Sequence, residues 1–293
     1  MRSALYHVGL HAKSIGAIYI QPHGYELLFG TTQHSLTHAG MDIELLLAQN
    51  IEMECARRTD WTTMTKKAAI VQSNYIPWKG FFDLIASVDE LILYDDAQFT
   101  KNDWRNRNQI KTPQGVKWLT VPVGQDIRRR IRDVVLPDAR WQAKHWKTIE
   151  NNYRRAPHFG SIAEVFEPLY IRQQHTHLSS LNRMLIETIC AFLNIPTKIS
   201  NSWDHILTQG KTQRLIDLCK QVGATEYISG PSAKSYIDEK AFTEQGIKLI
   251  WFDYLGYREY SQLWGSFVHG VSILDLLFNC GKEAPKYMRY VSR

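Results

Sequence analysis

From Met64 onward the chain alternates short apolar runs with longer amphipathic stretches, and the rhythm reads as β-α-β. "AAIVQ" (68–72) is a strand candidate that ends in the polar turn "SNYIPWKG". In "GFFDLIASV" (80–88) the apolar positions Phe81, Phe82, Leu84, Ile85 and Val88 suit a short helix. "ELILYDD" (90–96) begins as a continuous apolar run, the pattern of a strand covered on both faces of a sheet. Strand, short helix and strand together predict a parallel pair joined by a right-handed crossover. "VKWLTVPV" (116–123) reads as a third strand.

A helical section follows over about 138–195, opening with "DARWQAKHWKTIENNYRRAP" and closing with "HLSSLNRMLIETICAFLNI". In the latter, Leu181, Leu185, Ile189 and Phe192 recur at three- to four-residue intervals. The rhythm then resumes as strand "TKIS", helix "KTQRLIDLCKQVG", strand "EYISG", short helix "YIDEKAFTEQG", strand "KLIWFDY" and a last helix "SILDLLFNCG". Glycines stand where helix C-termini favour them. The predicted fold class is α/β: a mostly parallel, Rossmann-like sheet with a helical section inserted mid-chain, in a domain spanning 64–293. Residues 1–63 show no sustained period beyond a short helix expected around "MDIELLLAQNIEMECA". They read as a poorly ordered N-terminal appendage, or as upstream sequence taken in by the choice of start, with Met64 a second plausible start.

Composition narrows the class. The 293 residues are 44% hydrophobic and 22% charged, which predicts a packed core rather than disorder. No apolar run reaches the roughly 18–20 residues of a membrane helix, and the start lacks a signal-peptide pattern, so the expected location is the cytoplasm. Cys55, Cys190, Cys219 and Cys280 form no CxxC pair, which suits a reducing compartment without a zinc knuckle. The net charge of +6 is uneven: residues 1–63 carry four Lys/Arg against six Asp/Glu, and the excess of cations lies beyond them. A basic body favours anionic partners, although a solvated basic surface looks the same in sequence.

Five constellations carry candidate chemistry. The turn after the first strand places Gln72, Asn74, Tyr75, Trp78 and Lys79 at a strand's carboxyl end, where open α/β sheets bind ligands. A Pro-Trp-x-Gly turn whose Trp plugs the core is the plain alternative. Asp95 and Asp96 end the second strand and belong at the same edge. Adjacent residues of a strand point to opposite faces, so one of the two faces a pocket, as a base, a Mg²⁺ ligand beside a phosphate, or a hydroxyl acceptor. Asp capping of the turn is the competing reading. Then "QFTKNDWRNRNQIK" gathers Gln98, Trp104, Arg105, Arg107 and Lys111; alternate Arg residues share a face when extended, and Arg forks take phosphate. The run is short and diluted by Asp103, which fits a small anion better than nucleic acid. His145 and Tyr153 share a helical face, and His145 is a candidate acid–base as well as an ordinary core histidine. Finally, Lys211 and Arg214 stand in the first turn of a helix, where the dipole disfavours cations; a nearby anion or a capping carboxylate explains them. "SGPSAKSY", with Ser229 and Tyr236, reads as a ligand loop.

Together "IVQSNYIPWKGFFDLI", "LILYDDAQFTKNDWRNRNQIK", "WLTVPV", "HWKTIENNYRRAPHF", "KTQRLIDLCKQVGATEYISGPSAKSYID" and "SILDLLFNCG" resemble the WbqC-like family, in family order, over about residues 66–281. The family turn usually reads Gln-Pro before its aromatic; here Ser73 takes the place of the Pro. The resemblance implies synthesis of bacterial surface polysaccharide of the O-antigen type. It assigns motif membership, without roles, to Gln72, Trp78, Asp95, Asp96, Gln98, Arg105, Arg107, Lys111, His145, Tyr153, Lys211, Arg214, Ser229 and Tyr236. The expectation is then an enzyme acting on a nucleotide-linked sugar or its precursor by group transfer, acyl or aminoacyl. Arg105, Arg107 and Lys211 would hold phosphates, Asp95 or Asp96 would serve as base or Mg²⁺ ligand, Trp78 or Trp104 would stack on a ring, and His145 would carry a proton. The partner is a small phosphorylated or nucleotide-linked sugar, with no nucleic acid expected. The alternatives are a nucleic-acid-binding module and a non-catalytic partner in a glycan assembly complex.

Overall fold

The computed structural model describes residues 65–291 together with the backbone of three strands nearer the N-terminus. The chain divides into two compact units, Met1–Met64 and Thr65–Arg293. In the first, β1 (Ala17–Gln21), β2 (Gly24–Phe29) and β3 (Thr32–His34) form an antiparallel sheet in that order. The helix expected over 41–56 lies outside the described residues.

The second unit holds a five-stranded, wholly parallel sheet: β4 (Lys67–Val71), β5 (Glu90–Leu93), β8 (Lys198–Asn201), β9 (Glu226–Ser229) and β10 (Lys248–Trp251). The strands lie side by side as β10-β9-β4-β5-β8. The winding therefore runs outward from β4 in one direction through β5 and β8, then returns to the other side of β4 with β9 and β10. The strands read as continuous apolar runs because both faces are covered. Ala69 and Leu91 face a core built with α1 (Lys79–Ala86), the helical section and α7 (Ile273–Cys280). Ala68, Ile70 and Ile92 face a second core with α5 (Lys211–Gln221) and Phe242 of the short α6 (Glu239–Glu244). The helical section itself is α2 (Arg140–Tyr153), α3 (Phe159–Ile171) and α4 (Leu178–Phe192).

The expected third strand forms but does not join this sheet. β7 (Gly115–Thr120) pairs antiparallel with β6 (Arg107–Thr112) in a two-stranded hairpin between β5 and the helical section. The turn decides the outcome: Thr112 pairs with Gly115, whose φ of 102° suits glycine, leaving Pro113 and Gln114 at the tip. A tight hairpin makes an antiparallel pair, and this one stands as a two-stranded sheet of its own.

A buried carboxylate ties hairpin, helices and the β10–α7 connection together. Asp275 is wholly buried and accepts from Tyr153 Oη (2.9 Å) and Tyr260 Oη (2.9 Å). Tyr153 Oη in turn accepts from the Lys111 backbone N–H (3.0 Å) in β6. Tyr153→Phe leaves a buried N–H and a buried carboxylate oxygen each short of a partner, so it should cost on the order of 1–3 kcal/mol, read as a lowered midpoint in urea unfolding.

Candidate functional site

A cleft of about 600 Å³ opens at the carboxyl ends of β4 and β9, where the strand order reverses. Gln72 and Asn74 enter from the turn after β4, Ser229 and Gly230 from the end of β9, and Lys211 and Arg214 from the first turn of α5. Tyr94 follows β5, and Tyr254 follows β10. Every parallel strand of the sheet but the edge strand β8 thus sends residues into or beside one space.

Arg105 is the most constrained cation there. Its Nε donates to Gln72 Oε1 (2.5 Å) and its Nη1 to Asn74 Oδ1 (2.8 Å), both uncharged acceptors. The nearest carboxylate, Asp103, stands 3.7 Å from Nη2. Burial pulls the Arg105 pKa below its usual value, opposed by Asp103, Asp95 and Tyr236. Arg214 is likewise held by neutral oxygens: Nε donates to the Thr208 carbonyl (2.6 Å) and Nη1 to Tyr94 Oη. Lys211 is exposed at the mouth. The first turn of α5 contains no acidic residue, and its N-cap, Gly210 at φ 91°, supplies no side-chain cap. The capping carboxylate that would have explained Lys211 and Arg214 is thus absent. Three cations and a helix N-terminus converge on a lining that, among the described residues, has no Asp, Glu, His or Cys.

The opposite wall is aromatic. The Trp78 ring lies 5.4 Å from that of Tyr254 and 5.6 Å from that of Tyr257. Burial pushes the Tyr254 pKa up to about 12, so its hydroxyl is a neutral donor into the cleft at ordinary pH. Trp104, 43% exposed, closes the rim. Gly80 is required beneath Trp78, because a Cβ there would fall 2.3 Å from the indole.

Of the residues singled out in the sequence, Gln72, Asn74, Trp78, Trp104, Arg105, Lys211, Arg214, Ser229 and Tyr236 line this cleft. The others lie outside its lining. Asp95 is buried and its Oδ1 accepts from the Ser73 N–H (2.8 Å), which puts the acid at the first turn but behind it. Burial raises its pKa. Asp96 points the other way, accepting from Ser202 Oγ (2.7 Å) and pairing with Arg130 (3.3 Å) and Arg132 (3.2 Å). Gln98 is exposed and donates to the Ile127 carbonyl (3.3 Å). Arg107 stacks over Trp118, 4.1 Å from the ring centre. Lys111 reaches Gln262 Oε1 (2.7 Å) and the Ser266 carbonyl. Tyr153 belongs to the Asp275 network. Lys79 is buried, donates to the Arg258 carbonyl (3.0 Å) and sits 5.1–5.5 Å from the ring centres of Tyr257, Tyr260 and Phe267. Among the described residues no group of three His, Cys, Asp or Glu is placed to hold a metal ion. Tyr94, Tyr254, Gly210 and Ser232 line the cleft without having been singled out. Tyr94 and Tyr254 each follow a strand's carboxyl end closely, the one signal that could have found them.

His145 is buried beside Tyr75 and Trp141. Its Nε2 lies 3.1 Å from the Thr120 carbonyl, which can only accept, so Nε2 carries the proton. Nδ1 then accepts from Tyr75 Oη (2.8 Å), which accepts from Tyr170 Oη (2.7 Å). Burial lowers the His145 pKa to about 4. Between an unfolded value of about 6.5 and that folded value the unfolded chain binds more protons, so stability falls as pH falls through this window.

Two outcomes are expected. His145→Phe should flatten the fall in melting temperature between pH 6.5 and pH 4, by an amount equivalent to about one proton, while lowering stability at pH 7 because Tyr75 and Thr120 lose their partner. Gly80→Ala should displace Trp78, costing about 1–3 kcal/mol, with a changed near-ultraviolet circular dichroism as the check.

The family model described as "WbqC-like protein family" matches residues 72–287. An uncharacterized protein of Mycobacterium tuberculosis is 58% identical over 227 residues, which cover 77% of this chain and 98% of that protein. No solved structure matches. The matched region takes in the turn after β4, the hairpin, the helical section and the end of β9, and the chain belongs to the WbqC-like protein family.

Proposed function

We propose that the cleft binds a nucleotide-linked sugar or a related phosphorylated precursor, and that the protein transfers a group from or to it in the synthesis of bacterial surface polysaccharide. The reading rests on one observation: Arg105, Lys211 and Arg214 meet in a space whose lining, among the described residues, holds no carboxylate. A cleft with three cations, a helix N-terminus and no acid has a strongly positive interior, and a phosphate is the ligand that such a field favours. Guanidinium forks add geometry to the charge, since Arg105 is already oriented by Gln72 and Asn74. The indoles of Trp78 and Trp104 offer faces for a base or sugar ring.

Asp95, Asp96 and His145 have positioning roles in this reading. Asp95 fixes the backbone of Ser73 between Gln72 and Asn74; Asp96 anchors Arg130, Arg132 and Ser202; His145 locks Tyr75 under the same turn. Asp96 has its oxygens engaged by two Arg residues and a Ser, and Asp95 is buried behind Ser73; in this reading the Arg and Lys side chains meet the charge at the phosphates. Within the cleft, the groups able to hold or move a proton are Lys211, Ser229, Ser232 and the hydroxyls of Tyr94, Tyr227, Tyr236 and Tyr254. The same scarcity of acid–base groups favours a second reading, binding without turnover in a glycan assembly complex.

Thermal unfolding in the presence of uridine, guanosine and thymidine diphosphate sugars tests the first reading. One of these at 100 times its Kd should stabilise the protein by about 2.7 kcal/mol, roughly 5–10 °C for a domain of this size. Arg105→Ala and Lys211→Ala should each remove most of the shift. A folded protein that answers to none of them overturns the proposal, and binding with no turnover of the bound sugar selects the second reading.

A further inference from the structure

A second cleft, of about 300 Å³, opens behind the first and shares its wall. Asn74, Trp78 and Trp104 line both spaces; the second is completed by Pro77, Asn108, His269 and Gly270. Its chemistry is unlike that of its neighbour. Among the described residues no Arg, Lys, Asp or Glu lines it. The titratable residue among those described there, His269, has its pKa lowered by burial and by the nearby Lys79 ammonium. What remains is two indole faces, a proline, an imidazole and amide groups.

The polar groups are partly spoken for. Asn108 Nδ2 donates to the Tyr75 (3.0 Å) and Ile76 (2.9 Å) carbonyls, and its Oδ1 accepts from the Gln109 N–H (2.7 Å). Asn74 Oδ1 accepts from Arg105, and among the described residues its Nδ2 has no partner. Just outside, Trp118 stands 5.4 Å from Trp104 at 43°; the two rings are 37% and 43% exposed, and the Arg107 guanidinium lies over Trp118, 4.1 Å from its ring centre. Neither indole N–H has a partner among the described residues. Two large exposed aromatic rings leading into an uncharged, amide-bearing hollow suit a ligand with apolar C–H faces and hydroxyl edges, and no net charge.

We propose that this second cleft is a binding site for an uncharged pyranose, with Trp104 and Trp118 as the platform for a further sugar unit. Binding of the neutral sugar stands apart from the reading of the first cleft; only its role as the acceptor, lying beside the phosphorylated ligand across Trp78 and Asn74, rests on that reading. A free phosphate or sulfate finds no cation in this cleft, and a fatty chain would leave Asn74 Nδ2 unpaired.

Gly270 makes the test specific. A Cβ added there meets nothing within 4 Å, so a large side chain at that position enters open space rather than the core. The probes are N-acetylglucosamine and its β1,4-linked dimer, followed by saturation-transfer NMR on the whole chain, with uridine diphosphate binding followed in the same samples. The wild-type protein should show saccharide signals, stronger for the dimer. Gly270→Trp should lose them at least five-fold while binding uridine diphosphate unchanged, and Trp118→Ala should reduce the dimer to the level of the monomer. Absence of saccharide signal from the wild-type protein, or signal that survives Gly270→Trp undiminished, overturns the proposal. If uridine diphosphate still binds in that case, the reading of the first cleft stands; saccharide binding without any nucleotide binding has the opposite meaning.

Discussion

An irregular turn is buried within the second unit of this chain, and a buried turn must find a partner for its backbone polar groups. The segment leaving β4 cannot do so with itself. Asp95 Oδ1 takes the Ser73 N–H (2.8 Å), and the Trp104 carbonyl takes that of Tyr75 (2.9 Å). The Asn108 amide supplies both hydrogens to the Tyr75 and Ile76 carbonyls. Asn182, from α4, bonds Ser73 Oγ (3.0 Å) and the Arg105 carbonyl (2.9 Å) at once. Ile76 is thereby held at φ 37°, a conformation that a branched side chain adopts only under such constraint. Gln72, Asn74 and Trp78 point into the clefts because this scaffold fixes the chain between them. Arg105 meets Gln72 and Asn74 because Asn182 grips its carbonyl. Hairpin and helical section are both needed to complete the turn, which explains why they interrupt the sheet where they do.

Much of this fold is written in local periodicity. Continuous apolar runs at Ala68–Val71 and Leu91–Leu93 and three- to four-residue spacing along α4 depend on which faces are covered, and burial on both sides leaves that mark directly. The cleft was legible to the extent that chain topology brings parallel carboxyl ends together: Gln72, Arg105, Lys211 and Ser229 meet there. What could not be read is which side of a turn a polar residue faces. Asp95 and Asp96 differ by one residue, yet one is sealed behind Ser73 and the other joins a surface network with two arginines. Asn182 sits on an apolar helix as one polar residue among many, and its bond to the turn is a tertiary fact. The hairpin was missed for a different reason: "WRNRNQIK" carries amides and bases on both faces, so it lacks the alternation that marks a half-buried strand, and its pairing comes from the turn at Gly115.

The reversal of strand order has a consequence in the energetics of chain closure. Of all hydrogen-bonded neighbours in the five-stranded sheet, β4 and β9 are farthest apart along the sequence. Loop entropy therefore opposes that seam more than any other, and pairings of high sequence separation are the slow ones. The cationic cleft sits astride the end of this seam, with Gln72 on one strand's exit and Ser229 on the other's. A molecule held between them ties the sheet at its most weakly favoured closure, so occupancy of the cleft is felt as resistance to opening between β4 and β9.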